Sequence, residues 1–193
     1  MSPIERSRHL ESGEAEPRNF KEKLERLWNI GNHVCVGLDS DWNKIPGEFK
    51  VLGREEGTFQ FNREHIDNTH DLVCAYKPNI AFYEDSPEGE RALERTIEYI
   101  HQKFPYIPVI LDNKRGDIGN TNLGYVRSAF DRYKADAVTV NPWFGQEALS
   151  PFLDMEDKGI ISVVKTSNPG SDEFQNLPVS IDKVATNREE LIE

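Results

Sequence analysis

Five short apolar runs recur along this chain, and each ends on polar or charged residues: His33 to Leu38, Asp71 to Tyr76, Pro108 to Leu111, Ala135 to Val140 and Ile160 to Val164. Runs this short, bounded by polar residues, read as buried strands. The stretches between them carry the period and punctuation of helices. Ser86 is placed to cap a helix that has Pro87 at its first position and an apolar stripe of Leu93, Ile97 and Ile100 running toward Phe104. Phe20, Leu24, Leu27 and Trp28 predict a leading helix. Further stripes come from Phe59, Ile66 and His70, from Leu123, Val126, Phe130 and Tyr133, and from Leu149, Phe152 and Leu153 before a stop at Lys158-Gly159. Strands alternating with helices pair in parallel through right-handed crossovers.

Such a pattern folds either as an open doubly wound sheet or as a (β/α) barrel. No G-x-G-x-x-G or P-loop motif follows any of the runs, which counts against the dinucleotide-binding, doubly wound option. Chemistry-bearing residues instead stand where the runs end: Asp39, Lys77, Asp112 with Lys114, Asn141, and Ser167. The C-terminal ends of the strands are where a (β/α) barrel builds its active site. The expected fold class is therefore α/β, of the (β/α)8 TIM-barrel type. At 193 residues against the roughly 250 of a complete barrel, about five of the eight units are present. The expected layout is a single incomplete barrel domain, with a polar extension over 1–18, a leading helix over 19–33, five β/α units over 34–170 and a polar tail over 171–193.

Strand parity orients these residues, because side chains alternate between the two faces. With Asp112 and Lys114 turned into the barrel mouth, Ile110 lies beneath them while Val109 and Leu111 face the helices. Asp39 then shares a face with Gly37 and Cys35, and Lys77 with Ala75 and Val73. Cys74 points the other way from Cys35, which argues against a disulfide between the only two cysteines. This registration supposes strands without bulges.

The balance of 23 basic against 34 acidic residues gives a net charge of -11, so nucleic acid and anionic membranes are not expected as partners. A small anion gripped by a few local donors suits that background. Met1 to Leu10 is charged and has no apolar core, and no run approaches the roughly 20 residues needed to span a bilayer. A soluble cytoplasmic protein is expected.

The densest chemistry lies in Leu111-Asp112-Asn113-Lys114-Arg115-Gly116-Asp117-Ile118-Gly119-Asn120-Thr121. Taken alone, a D-x-K-x-x-D segment also reads as an exposed loop whose last Asp caps a helix. Asp39 in Asp39-Ser40-Asp41, Ser167 before Asn168-Pro169-Gly170, and Asn141 before Pro142 have plain turn readings as well. Lys77 is harder to explain that way, since an ammonium at a strand end inside a barrel mouth needs an anionic partner.

Taken together, Val34 to Asp39, Ala75 to Glu84, Asp112 to Thr121, Asp136 to Pro142 and Lys165 to Gly170 resemble orotidine 5'-phosphate decarboxylase, most closely its bacterial type 2 branch, in the family's order over roughly residues 34 to 175. The resemblance implies decarboxylation of orotidine 5'-phosphate to UMP in de novo pyrimidine biosynthesis, with neither metal nor organic cofactor. It implies that Lys77, Asp112, Lys114 and Asp117 form an alternating array at the reacting carbon, with Lys114 protonating C6. Asp39 and Lys77 resemble contacts to the ribose hydroxyls, and Thr121 a hydroxyl contact made with Asp117 across a homodimer. Ser167 resembles the contact to the pyrimidine edge, and Ile118 and Asn141 are expected to line the substrate pocket. The family pattern continues with further strands, a lid over the phosphate and a late arginine. The expectation is a piece of a larger or split enzyme, inactive or nearly so alone. Two other readings stand beside it: a magnesium-dependent sugar-phosphate decarboxylase or hexulose-phosphate synthase relative, and a noncatalytic interaction protein.

Overall fold

A computed structural model describes residues 19–178. The polar extension expected over 1–18 and residues 179–193 of the expected tail lie outside the described residues. The chain divides into two compact units, with the boundary between Ser162 and Val163.

In the first unit, helix α1 (Phe20–Asn29) opens on Asn19, whose side chain accepts the Glu22 N–H. Leu27 is fully buried, whereas Trp28, expected on the same stripe, stays 45% exposed. There follow β1 (Val34–Leu38), the single turn α2 (Gly47–Lys50), α3 (Arg54–Thr69), β2 (Val73–Pro78), α4 (Pro87–Lys103), β3 (Ile110–Arg115), α5 (Gly119–Val126), β4 (Ala137–Val140), α6 (Gly145–Leu153) and β5 (Gly159–Ser162). Ser86 caps α4 by accepting the Gly89 N–H at 3.0 Å, with Pro87 next to it, as the spacing predicts. Helix α5 runs on as a π-helical segment, Arg127–Arg132. It turns Asn122 inward and leaves Leu123, expected on the buried stripe, 45% exposed.

All strand pairs are parallel. β1 pairs with β2, and β4 lies between β3 and β5. The Tyr76–Val109 and Asn79–Asp112 bridges join β2 to β3. Spatial order therefore equals chain order from β1 to β5, with a helix on each crossover. A doubly wound sheet would reverse its order at a switch point; this one does not, which is the winding of a (β/α) barrel. Its core lies between strands and helices, where Ile66, Tyr76, Leu93, Ile97, Ile100, Val109, Leu111, Val138 and Phe152 are all fully or almost fully buried.

The cysteines follow the parity argument: Cys74 is buried in that core, Cys35 is exposed on the other side, and both are free. The supposition of bulge-free strands is corrected. The register shifts between Val34 and Cys35 on β1, after which Cys35 pairs with Ala75 and Gly37 with Lys77. On β3 it shifts between Leu111, which pairs with Val138, and Arg115, which pairs with Val140. Four residues advance on β3 while two advance on β4. The bulge falls on Asp112, Asn113 and Lys114, and bulges re-aim side chains.

Two polar centres, one buried and one partly buried, brace the unit. Asn62 accepts from Ser40 Oγ (2.5 Å) and donates to Tyr83 Oη (3.1 Å) and Thr96 Oγ1 (3.0 Å), and Tyr83 donates to the Leu38 carbonyl at 2.7 Å. This ties the end of β1 to α3 and α4. Just before β4, Asp136 receives Lys23 Nζ (2.7 Å), His101 Nε2 (3.1 Å) and the Val109 N–H (2.9 Å). Burial opposes its charge, yet the His101 and Lys23 contacts hold its carboxyl below the ordinary range.

In the second unit, Lys165 Nζ reaches Asp172 Oδ1 (2.5 Å) and Asn176 Oδ1 (2.9 Å), and Thr166 N–H donates to Gln175 Oε1 at 2.7 Å. A tight turn, Pro169–Ser171, leads into helix α7 (Asp172–Gln175). Among the described residues, no helix is long and apolar enough to cross a membrane.

Candidate active site

At the C-terminal ends of β2 and β3, three of the predicted site residues meet. The Asp112 carboxylate takes Lys77 Nζ on Oδ2 at 2.9 Å and Lys114 Nζ on Oδ1 at 2.6 Å. The Asp112 side chain is 9% exposed, those of Lys77 and Lys114 are 33% and 52% exposed. Burial works against a charged Asp112, but the hydrogen bonds from Lys114, Lys77 and Thr139 outweigh it and hold the carboxyl below its ordinary range. Burial likewise opposes the Lys77 ammonium, and Asp112, helped by the charge of Asp39, raises its pKa nonetheless. The result is a row of alternating sign, Asp39, Lys77, Asp112 and Lys114, with the most exposed ammonium at one end.

Lys114 owes its aim to the bulge. Its φ is 44°, in the left-handed region, which costs a non-glycine residue about 1–2 kcal/mol. Its backbone N–H donates to Thr139 Oγ1 at 2.9 Å, and the same hydroxyl donates to Asp112 Oδ1 at 2.9 Å. Thr139 stands alone as a polar side chain in β4, between Val138 and Val140. Its parity was legible in the sequence, but its link to Lys114 depends on the bulge.

The loop after β3 is held by two residues to which the sequence reading assigned no role. Asn122, fully buried, accepts the Asp117 N–H (3.0 Å) and donates to the carbonyls of Asp117 (2.6 Å) and Ala148 (2.6 Å). Gly116 packs so closely on the Asn141 carbonyl that a Cβ there would lie 2.5 Å from the oxygen. With its position thus set, Asp117 turns its carboxylate to the Ile118 N–H at 2.7 Å. It makes no ion pair with Lys77 or Lys114 among the described residues.

The other predicted residues fall as follows. Asp39 is exposed just past β1, with its carbonyl accepting the Asp41 N–H at 2.9 Å. Ile118 is 62% exposed, and Thr121 is exposed in the first turn of α5. Asn141 accepts the Trp143 N–H on its side chain at 3.1 Å, the turn role its sequence context allows. Ser167 is exposed in the second unit.

Chemically, an ammonium pinned beside a buried carboxylate can stabilise negative charge developing on a neighbouring carbon and then deliver a proton to it. A family model described as "Orotidine 5'-phosphate decarboxylase / HUMPS family" matches residues 32–191. The chain is 49% identical over 162 residues to an orotidine 5'-phosphate decarboxylase from Cellvibrio japonicus, covering 83% of this chain and 59% of that protein. It is 46% identical over 166 residues to the same-named protein from Dechloromonas aromatica, covering 86% of this chain and 60% of that protein. The structure of Leishmania donovani OMP decarboxylase superposes with a TM-score of 0.74 at 35% identity, over 84% of this chain and 60% of that one. The chain thus spans about three fifths of the length of these relatives.

Proposed function

The chain belongs to the orotidine 5'-phosphate decarboxylase / HUMPS family, and from that premise we propose that it carries the decarboxylating part of a site that converts orotidine 5'-phosphate to UMP and carbon dioxide. The observation that carries the proposal is the Lys77–Asp112–Lys114 cluster, with contacts of 2.9 and 2.6 Å at the ends of β2 and β3.

In this reading the bond from C6 to the carboxylate breaks, carbon dioxide leaves, and the electron pair remains on C6. The Lys114 ammonium stabilises that pair by charge and then transfers a proton to C6, becoming a neutral amine. Asp112 holds Lys114 charged and in place, and stands near the departing carboxylate. Lys77 and Asp39 bind the ribose hydroxyls, and Ile118 and Asn141 line the pocket. Asp117 and Thr121 act across a homodimer, each serving the site of the partner. The Asp117 carboxylate accepts the Ile118 N–H of its own loop and pairs with neither lysine of the cluster among the described residues, which suits that division. The reaction belongs to pyrimidine biosynthesis in the cytoplasm.

The test is decarboxylation of orotidine 5'-phosphate by the chain alone and mixed with the C-terminal segment of a relative, with and without a chelator. Turnover in either arm that survives chelation is expected. Lys114→Ala should lower kcat at least about 100-fold, as loss of a proton donor does, while UMP binding persists. Near-normal turnover by a correctly assembled Lys114→Ala protein would overturn the assignment, and chelator-sensitive turnover would favour a magnesium-dependent relative.

A further inference from the structure

We propose that Thr139 is a positioning residue of this site: its hydroxyl bridges the Lys114 backbone and the Asp112 carboxylate and so sets where the Lys114 ammonium stands. The inference rests on the reading that Lys114 and Asp112 act in decarboxylation.

The hydrogen bonding leaves one arrangement. The Lys114 N–H can only donate, so Thr139 Oγ1 accepts there, and its single proton goes to Asp112 Oδ1. In an unbroken parallel ladder the backbone N–H groups of β3 that face β4 would bond to its carbonyls. The register shift between Leu111 and Arg115 interrupts that pattern, and the Thr139 side chain serves Lys114 instead. The same oxygen is thus tied to the backbone of the proton donor and to the carboxylate that binds its ammonium at 2.6 Å. Thr139 is 8% exposed, so water competes poorly for either bond. Its strand neighbours Ala137, Val138 and Val140 offer no polar side chain that could stand in. A residue at φ 44° relaxes toward ordinary conformations once its restraint is removed, and the Lys114 ammonium moves with it.

The experiment compares Thr139→Val, which keeps the shape and removes the hydroxyl, with Thr139→Ser, which keeps the hydroxyl. Carboxyl-carbon NMR follows the titration of Asp112, amide NMR follows Lys114, and kinetics give kcat and KM for orotidine 5'-phosphate. Thr139→Val should raise the Asp112 midpoint and shift the Lys114 amide. It should lower kcat about 10- to 100-fold, the loss expected for a hydrogen bond to a charged group, with UMP affinity held within about twofold. Thr139→Ser should restore most of each. If Thr139→Val fails to fold, Thr139→Ala is read by the same titration. An Asp112 midpoint and Lys114 amide unchanged by loss of the hydroxyl would overturn the proposal, as would equal behaviour of the Val and Ser variants. Wild-type protein without turnover both alone and mixed with the C-terminal segment counts only against the proposed activity, and the Asp112 titration then decides the role of Thr139.

Discussion

Gly116→Ala places a methyl carbon 2.5 Å from the carbonyl oxygen of Asn141 and 3.1 Å from its Cβ. Ordinary van der Waals contact begins near 3.4 Å, so the loop must open by roughly 0.9 Å against backbone that cannot rotate aside. Gly116 does not adopt a positive φ, which makes the cost one of contact rather than of backbone conformation. Overpacking of this kind costs about 1–3 kcal/mol. Opening the loop also strains the adjoining Asn141 N–H to Arg115 carbonyl bond of 2.9 Å, worth about 1 kcal/mol. The reduced freedom of the unfolded chain returns about 0.4–1 kcal/mol. The net loss is about 2 kcal/mol, which for a chain of this size lowers Tm by roughly 4–8 °C. Thermal unfolding followed by circular dichroism measures it, with Gly124→Ala as the control. Gly124 lies within α5, and a Cβ there meets nothing within 4 Å, so that variant should melt at or slightly above the wild type. A Gly116→Ala protein that melts with the control would refute the close approach of Gly116 and Asn141 as the reason for glycine in the D-x-K-x-G-D segment.

Asn122→Ala removes three hydrogen bonds and leaves the Asp117 N–H and the carbonyls of Asp117 and Ala148 without their partner. It should cost about 2–3 kcal/mol and speed hydrogen exchange at the Asp117 amide, whereas an unchanged exchange rate would mean the loop is held elsewhere. Asp136 carries a folded pKa below its ordinary 3.8, so its contribution is complete above about pH 5 and fades as the pH falls from there through the folded value. Urea unfolding should show the largest stability difference between wild type and Asp136→Asn near neutral pH, narrowing toward pH 2; a difference that widened in acid would reverse the sign assigned to this residue.

Much of the fold was legible because burial on a strand or helix leaves a periodic trace. Ser86 and Pro87 mark the start of α4 by local chemistry alone, and Leu93, Ile97 and Ile100 bury as their spacing predicts. The placement of Lys77 and Asp112 at the ends of apolar runs anticipated that they would meet, because parallel strands in a barrel bring their C-terminal ends to one rim. Trp28 and Leu123 had the same spacing signal and remain half exposed. For Leu123 the reason is tertiary: Asn122 finds three backbone partners, one of them on α6, and takes the inward position.

What the amino-acid sequence determined by itself was therefore the alternation of strand and helix, the strand ends that carry charge, and the family to which those residues belong. Only the tertiary structure decided the bulge on β3, the left-handed Lys114, the bridging of Thr139 and the turning of Asp117 toward its own loop. Period-two and period-3.6 patterns report which face is apolar. A bulge, a shared hydroxyl and a glycine pressed against a carbonyl arise from contacts between segments distant in sequence, such as Lys114 with Thr139 and Gly116 with Asn141, and no local pattern carries them.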